Sequence, residues 1–233
     1  LFSGIEVSQR TVQRRLAEEG LIGRRPARKP RLTPAMISKR YQRARKYKDF
    51  TTDNWKNVCF SDESIFQVLV DKSQFVRRRT NEKYKPECIV PTIKHPPSVM
   101  VWSVISYKGQ GALYVVDGTM SAEKYQEVLE TQLLPQVKKW FNKREKPIFM
   151  HDGVDILDWP GNSPDMNPIE NVWEFLKSEV TMKAPTTKQE LINILNDTWK
   201  YNPELKIKIQ NCISSMPRRV EAVLAAKGGH TKY

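Results

Sequence analysis

"HDGVDILDWPGNSPDMNPIEN", residues 151–171, packs five carboxylates (Asp152, Asp155, Asp158, Asp165 and Glu170) into twenty-one residues of a chain whose net charge is +13. Its local patterns are short. "KPIFMHD" reads as an apolar strand ending at Asp152, and "VDILDW" as another ending before Pro160. Asn167-Pro168 then opens a helix, "IENVWEFLKSEV". Asp152 therefore closes a strand and Glu170 lies in a first helical turn. Each acid also has a plain structural reading. Asp152 suits a turn before Gly153, and Glu170 suits a capping box with Asn167. Asp155, Asp158 and Asp165 read as surface or capping acids.

Upstream, "NWKNVCFSDESIF" reads as a strand over 58–61 that ends at Asp62-Glu63-Ser64, and "FQVLVDKSQFVRRR" as a second strand turning near 71–72. A proline-rich loop follows over 81–97. "SVMVWSVISYKGQGALYVVDG" is a hairpin turning at 108–111. "SAEKYQEVLETQLLPQVKKWFNK" is an amphipathic helix capped by Ser121 and bent or divided at Pro135. Two more helices are expected near 187–200 and 204–226. Strands first and helices afterwards predict an α/β fold, a mixed sheet with helices against it. Such a sheet can bring Asp62, Asp152 and Glu170 to one edge. Three converging carboxylates repel one another unless cations sit between them. Hard divalent ions such as Mg²⁺ take carboxylate oxygens, and two of them suit phosphodiester chemistry.

The charge is concentrated at the other end. Residues 1–50 hold fourteen Lys or Arg and four acids, which is +10 of the total +13. That asymmetry points to a polyanion, most simply nucleic acid. In "GIEVSQRTVQRRLAEEGLIGRRP" Ser8 can cap a helix and Gly20 can end it. Val7, Val12 and Leu16 are expected to face inward. Gln9, Arg10, Gln13 and Arg14 face outward, as on a recognition helix that reads G and A edges in the major groove. Arg24, Arg25 and Arg28, in the proline-extended "GRRPARKPR", suit phosphates or a narrow minor groove. The same run can serve as a nuclear import signal, so a nuclear location is expected. A second helix, from Thr33-Pro34 to about Lys48, reads as a DNA-facing linker helix.

Composition narrows the class. Apolar residues make up 39% and charged residues 28%, with three scattered cysteines and no CxxC pair, which argues against a disulfide framework or zinc knot. No apolar run approaches the eighteen or so residues of a membrane span, and no membrane partner is expected.

The motifs "VSQRTVQRRLAEEGL", "FSDES", "SVMVWSVIS", "FMHDG", "DWPGNSPDMNPIENVWEFLK" and "SMPRRVEAVLAAKGGHTKY" resemble, in order and over nearly the whole chain, the transposases of the Tc/mariner superfamily, closest to its Tc-like branch. The resemblance implies an RNase H-like catalytic domain over 55–233, preceded by a partial helix-turn-helix module over 1–22 and a basic linker and helix over 23–54. It implies cut-and-paste transposition with an Asp-Asp-Glu triad, Asp62, Asp152 and Glu170, holding two Mg²⁺ or Mn²⁺ ions. The expected partners are double-stranded DNA, as terminal repeats and target, and a second copy of the chain pairing two ends. The 81–97 loop matches the family's insertion that touches DNA or the partner subunit.

Two departures stand out. The family carries two helix-turn-helix units; only the second is recognisable here, and its first helix would precede Leu1. Also, only seventeen residues separate Asp152 from Glu170. If 147–151 and 154–159 are adjacent parallel strands, they need a crossover of about a dozen residues, and only Asp152 and Gly153 stand between them. A segment is expected to be missing there. The leading expectation is an active transposase; the alternatives are a non-catalytic DNA-binding relic and, behind it, a plain metal-dependent nuclease.

Overall fold

In the computed structural model, we describe residues 7–24, 29–68, 76–89, 94, 96–142, 144, 145, 147–150 and 163–233. The chain divides into two compact units, 1–31 and 32–233, each treated separately here. None of the described helices is long and apolar enough to cross a membrane.

The first unit contains α1 (Gln9–Glu18). Ser8 caps it, its hydroxyl accepting from the Thr11 amide at 3.2 Å. Gly20, at φ +75°, ends it. The Gly20 amide donates to the Ala17 carbonyl and the Leu21 amide to the Leu16 carbonyl, which is the paired closure of a Schellman motif. The expected inward face is not buried: Val7, Val12 and Leu16 are all exposed, as are Leu21 and Ile22. A ten-residue helix cannot cover its own stripe, and among the described residues no element covers it.

The second unit is built on a four-stranded mixed sheet of order β3-β2-β1-β4. Its strands are β1 (Val58–Gln67), β2 (Ser98–Ser106), β3 (Gly109–Val116) and β4 (Ile148–Met150). The first three pair antiparallel. β4 lies parallel to β1, in the register Val58↔Ile148, Cys59↔Phe149, Phe60↔Met150. Expectation and structure differ at β1. It does not stop at Asp62 but runs four residues past Glu63, as one ten-residue strand. The polar triplet Asp62-Glu63-Ser64 looks like a terminus, yet the ladder to β2 continues through it, with Asp62↔Ser103 and Glu63↔Trp102. The hairpin turn falls at 107–108, slightly earlier than expected.

Alternation along β1 sorts two cores. Val58, Phe60 and Phe66 face one, with Trp173, Leu176, Leu195 and Ile209 from the C-terminal helices. Cys59 faces the other, with Trp102, Val104, Val128 and Leu133. That second layer is the Ser121-capped helix, and Pro135 divides it as expected: α4 (Ala122–Val128) passes through a wider π turn (Leu129–Leu133) into α5 (Leu134–Trp140). Proline has no amide hydrogen to donate and its ring crowds the preceding turn, so the turn widens ahead of it.

The first layer holds α6 (Ile169–Lys183), α7 (Lys188–Tyr201), α8 (Pro203–Ser214) and α9 (Met216–Ala225). The single helix expected over 204–226 is thus two, separated at Ser215, just ahead of Pro217. The short α3 (Thr52–Lys56), capped reciprocally by Thr51 and Asn54, leads into β1.

The helix expected as a DNA-facing linker, α2 (Pro34–Lys46), is packed into the second unit. It buries Arg40, Arg43 and Ala44 and packs against α9 within the same unit. Gly228, in the tail after α9, has φ +87°, and a Cβ there would stand 2.1 Å from the Ile37 carbonyl oxygen of α2. Gly228→Ala is expected to destabilise the protein by about 2–3 kcal/mol, read as a lower urea midpoint at unchanged slope.

Candidate active site

Asp62 sits mid-strand on β1, on the face that packs against α6. Its neighbour Glu63 points to the opposite face, where its charge bears on Tyr125 of α4. α6 begins after a tight 3₁₀ turn (Pro164–Met166). Its buried side chains, Ile169, Val172, Trp173, Leu176 and Val180, form the helical stripe that packs on the sheet. Glu170 lies three residues before Trp173, on nearly the same side of the helix.

That geometry brings Glu170 to bear on Asp62. Trp173 Nε1 donates to Asp62 Oδ2 at 3.1 Å. Burial pushes the Asp62 carboxyl up to about 7, with the charges of Glu170 and then Glu63 adding to the shift and the Trp173 N–H opposing it. Burial and a neighbouring carboxylate both disfavour the charged form of Asp62, and a divalent cation at its oxygens would favour it. Among the described residues, no group of three His, Cys, Asp or Glu is assembled. Asp152 lies outside the described residues, two positions beyond the end of β4.

The capping box expected at Glu170 is not formed. α6 has no side-chain capping bond at its N-cap, Pro168. Instead Asn167 Oδ1 accepts from the Ile169 amide at 3.4 Å, and Asn167 Nδ2 donates to the Ser61 carbonyl at 3.3 Å. The start of α6 is thereby tied to the strand residue just before Asp62.

Asp165, expected at the surface, is buried. It accepts two hydrogen bonds from Arg40, Nη1 to Oδ1 at 2.8 Å and Nη2 to Oδ2 at 2.7 Å. Local sequence does not signal this pair, because the partners are 125 residues apart. Trp173 lies in the expected helix "IENVWEFLKSEV", but nothing in its local sequence marks it as a donor to Asp62.

In the first unit Gln9, Arg10, Gln13 and Arg14 are all exposed on α1, and Arg24 is exposed beyond it. Arg14 Nε lies 3.8 Å from Glu18, which also pairs with Arg15 at 2.9 Å; exposed pairs of this kind contribute little and leave these side chains available. Arg25 and Arg28 lie outside the described residues.

Comparison with known proteins places these features in a family. Residues 2–49 match a helix-turn-helix model described as "transposase", and residues 57–192 match the model described as "DDE superfamily endonuclease". The Tcb1 transposase of Caenorhabditis briggsae is 34% identical, with 97% of this chain and 88% of the relative covered. The Tc1 transposase of Caenorhabditis elegans is 33% identical with the same coverage. Both alignments run over 251 residues, whereas 97% of 233 is about 226, so the relatives carry about 25 residues that this chain lacks within the aligned span. Among solved structures, the Mos1 transposase paired-end complex with left transposon end superposes with a TM-score of 0.79 at 17% identity, covering 97% of this chain and 72% of that one. The Mos1 paired-end complex with Mg gives a TM-score of 0.76 at 16% identity, with the same coverage. At these identities the likeness speaks for the fold, an RNase H-like mixed sheet flanked by helices. With a DDE endonuclease match over more than half its length and Tc1-type relatives along nearly all of it, the chain belongs to the Tc1/mariner family of DNA transposases.

Proposed function

We propose that this transposase cleaves transposon ends and joins them to target DNA with Asp62, Asp152 and Glu170 holding two Mg²⁺ or Mn²⁺ ions. The observation that carries the reading is the setting of Asp62, a mid-strand acid facing the start of α6, bonded by Trp173 Nε1 at 3.1 Å and near enough to Glu170 for the two charges to oppose each other. The β1–β4 register ends at residue 150, and Asp152 itself, outside the described residues, is taken as the third ligand from the likeness of "FMHDG" to the family's motif. The solved Mos1 paired-end complexes with Mn and with Mg agree with that choice of ions.

Bound divalent ions supply water activation and stabilisation of the leaving oxygen. The protein supplies geometry: β1 fixes Asp62, Trp173 holds one of its oxygens, and the Asn167–Ser61 bond anchors the start of the helix bearing Glu170. In the proposed sequence water attacks the phosphorus at the element's end and a 3′-hydroxyl is released. That hydroxyl then attacks a target phosphodiester, forming a new P–O bond as the target's own 3′-oxygen leaves.

Gln9, Arg10, Gln13 and Arg14 are proposed to read the terminal repeat, with Arg24, Arg25 and Arg28 on its backbone or minor groove. The working division is a DNA-engaging module over 1–22, a basic linker and helix over 23–54, and a catalytic domain over 55–233 whose 81–97 loop contacts DNA or a second subunit. Two ends require pairing, so the acting species is a homodimer, and its place of work is the nucleus.

The test is incubation of the chain with duplexes bearing the inverted repeats that flank its coding sequence. Strand cleavage in Mg²⁺ or Mn²⁺ that EDTA abolishes is expected, together with 3′-end joining to a plasmid. Retention of the duplexes without cleavage would instead support the DNA-binding relic, which the two-residue gap between 147–151 and 154–159 and the shorter aligned length favour. In that event, inserting a helical crossover between Gly153 and Val154 is expected to restore cleavage. Failure to cleave even then defeats the enzymatic reading.

A further inference from the structure

We infer that the buried Arg40–Asp165 pair is a positioning device for Glu170, so that α2 and the C-terminal tail set the geometry of the acid site. The inference rests on the reading of Glu170 as a metal ligand.

Arg40 is 1% exposed and Asp165 8%. Removing two charges from water is costly, and a buried pair of this kind adds little net stability over a well-packed apolar pair. What it does provide is direction, because a two-point guanidinium–carboxylate contact fixes both planes. Two further donors of Arg40 are also used, Nε to the Gly228 carbonyl at 2.9 Å and Nη2 to the Gly229 carbonyl at 3.1 Å.

Asp165 is held from three sides. Its side chain takes Arg40 from α2 and, on Oδ2, the Thr231 hydroxyl of the tail at 2.8 Å. Its main-chain carbonyl accepts from Arg219 Nη1 of α9 at 2.8 Å. Arg219 Nη2 reaches on to Asn171 Oδ1 at 2.5 Å. Glu170 is thus bracketed: Asp165 five residues before it and Asn171 one residue after it are both gripped by buried arginines. The grip converges on the turn that Asn167 ties to Ser61, beside Asp62. A clasp that merely closed the tail onto α2 would have no need to reach both flanks of Glu170.

The test uses the whole chain and Mn²⁺ alone as the probe, titrated by electron paramagnetic resonance, with hydrogen exchange read over 163–171. Asp165→Asn keeps the shape and removes the charge. It is expected to weaken Mn²⁺ binding about 10-fold, as supporting residues around metal ligands commonly do, and to speed exchange over 163–171. Thr231→Val removes one hydrogen bond at nearly constant volume, and so retains the fold if Asp165→Asn does not. It is expected to weaken Mn²⁺ binding about 2- to 3-fold. Glu170→Gln separates the two layers of the argument. If it leaves Mn²⁺ binding unchanged, the ligand reading itself fails. If it weakens binding while every folded variant of Asp165 and Thr231 keeps wild-type Mn²⁺ affinity and exchange, losing only thermal stability, the network is a structural clasp and the inference is overturned.

Discussion

Replacing Asp62 with asparagine is expected to lower cleavage of transposon-end DNA about a thousandfold or more, and at the same time to stabilise the metal-free protein at neutral pH. Both effects have one origin. Burial first, then the charges of Glu170 and Glu63, push the Asp62 carboxyl from an ordinary 3.8 up to about 7. Below pH 4 the group is protonated in folded and unfolded chains alike, and its favourable contribution is fully present. Between about pH 4 and 7 the unfolded chain has lost a proton that the folded chain keeps, so stability falls as pH rises, and it levels off above the folded value. Three pH units correspond to about 4 kcal/mol as an upper bound. Asparagine cannot ionise and escapes that loss. Urea melts in EDTA at pH 5 and pH 8 should show Asp62→Asn gaining on the wild type toward the higher pH. Adding Mg²⁺ should stabilise the wild type alone. Parallel pH profiles for the two proteins, or cleavage surviving the substitution, would exclude Asp62 as the strained ligand.

Where the sequence was legible, the reason is local. Ser8, Gly20, Ser121 and Pro135 act within a turn of where they stand, and each does in the structure what its chemistry predicts. Reading failed where the deciding partner is distant. Val12 and Leu16 have helical spacing, but spacing only marks a stripe; burial needs a second surface. Asp62-Glu63-Ser64 looked like a strand end because three polar residues rarely continue into a core strand. They do so here because alternation sends Asp62 toward α6 and Glu63 toward α4, where Glu170 and Tyr125 lie near them. In "NSPDMNP" the turn was visible, but the buried status of Asp165 depends on Arg40, far upstream. The acid pair itself was inferable only because strand-end and helix-start acids can share an edge; the tightness of Asn167 on Ser61, which sets that edge, has no sequence signature.

Truncating Trp173 to alanine is expected to cost about 3–5 kcal/mol, the largest loss of stability among these substitutions. Its side chain is fully buried. Its ring stacks on Trp199 at 5.7 Å and 27°, and meets Phe66 edge-on at 6.1 Å. Trp199 in turn donates its indole N–H to the Gly111 carbonyl of β3 at 2.8 Å, so the pair joins α6, α7 and two strands. Phenylalanine at 173 separates packing from chemistry. It keeps an aromatic surface against Trp199 and Phe66 and removes the N–H that holds Asp62 Oδ2. A loss of only about 1–2 kcal/mol in stability is expected from the smaller ring and the missing bond. Cleavage is expected to fall about 10- to 100-fold, the usual toll of losing a group that orients a metal-binding carboxylate. Because the N–H favours the charged form of Asp62, the variant should also need more Mg²⁺ to reach half its maximal rate. Urea midpoints and single-turnover cleavage across a Mg²⁺ titration measure the two effects independently. A Trp173→Phe protein that is folded, destabilised and yet cleaves with wild-type Mg²⁺ dependence would show that the indole serves the core alone, and that β1 holds Asp62 in place unaided.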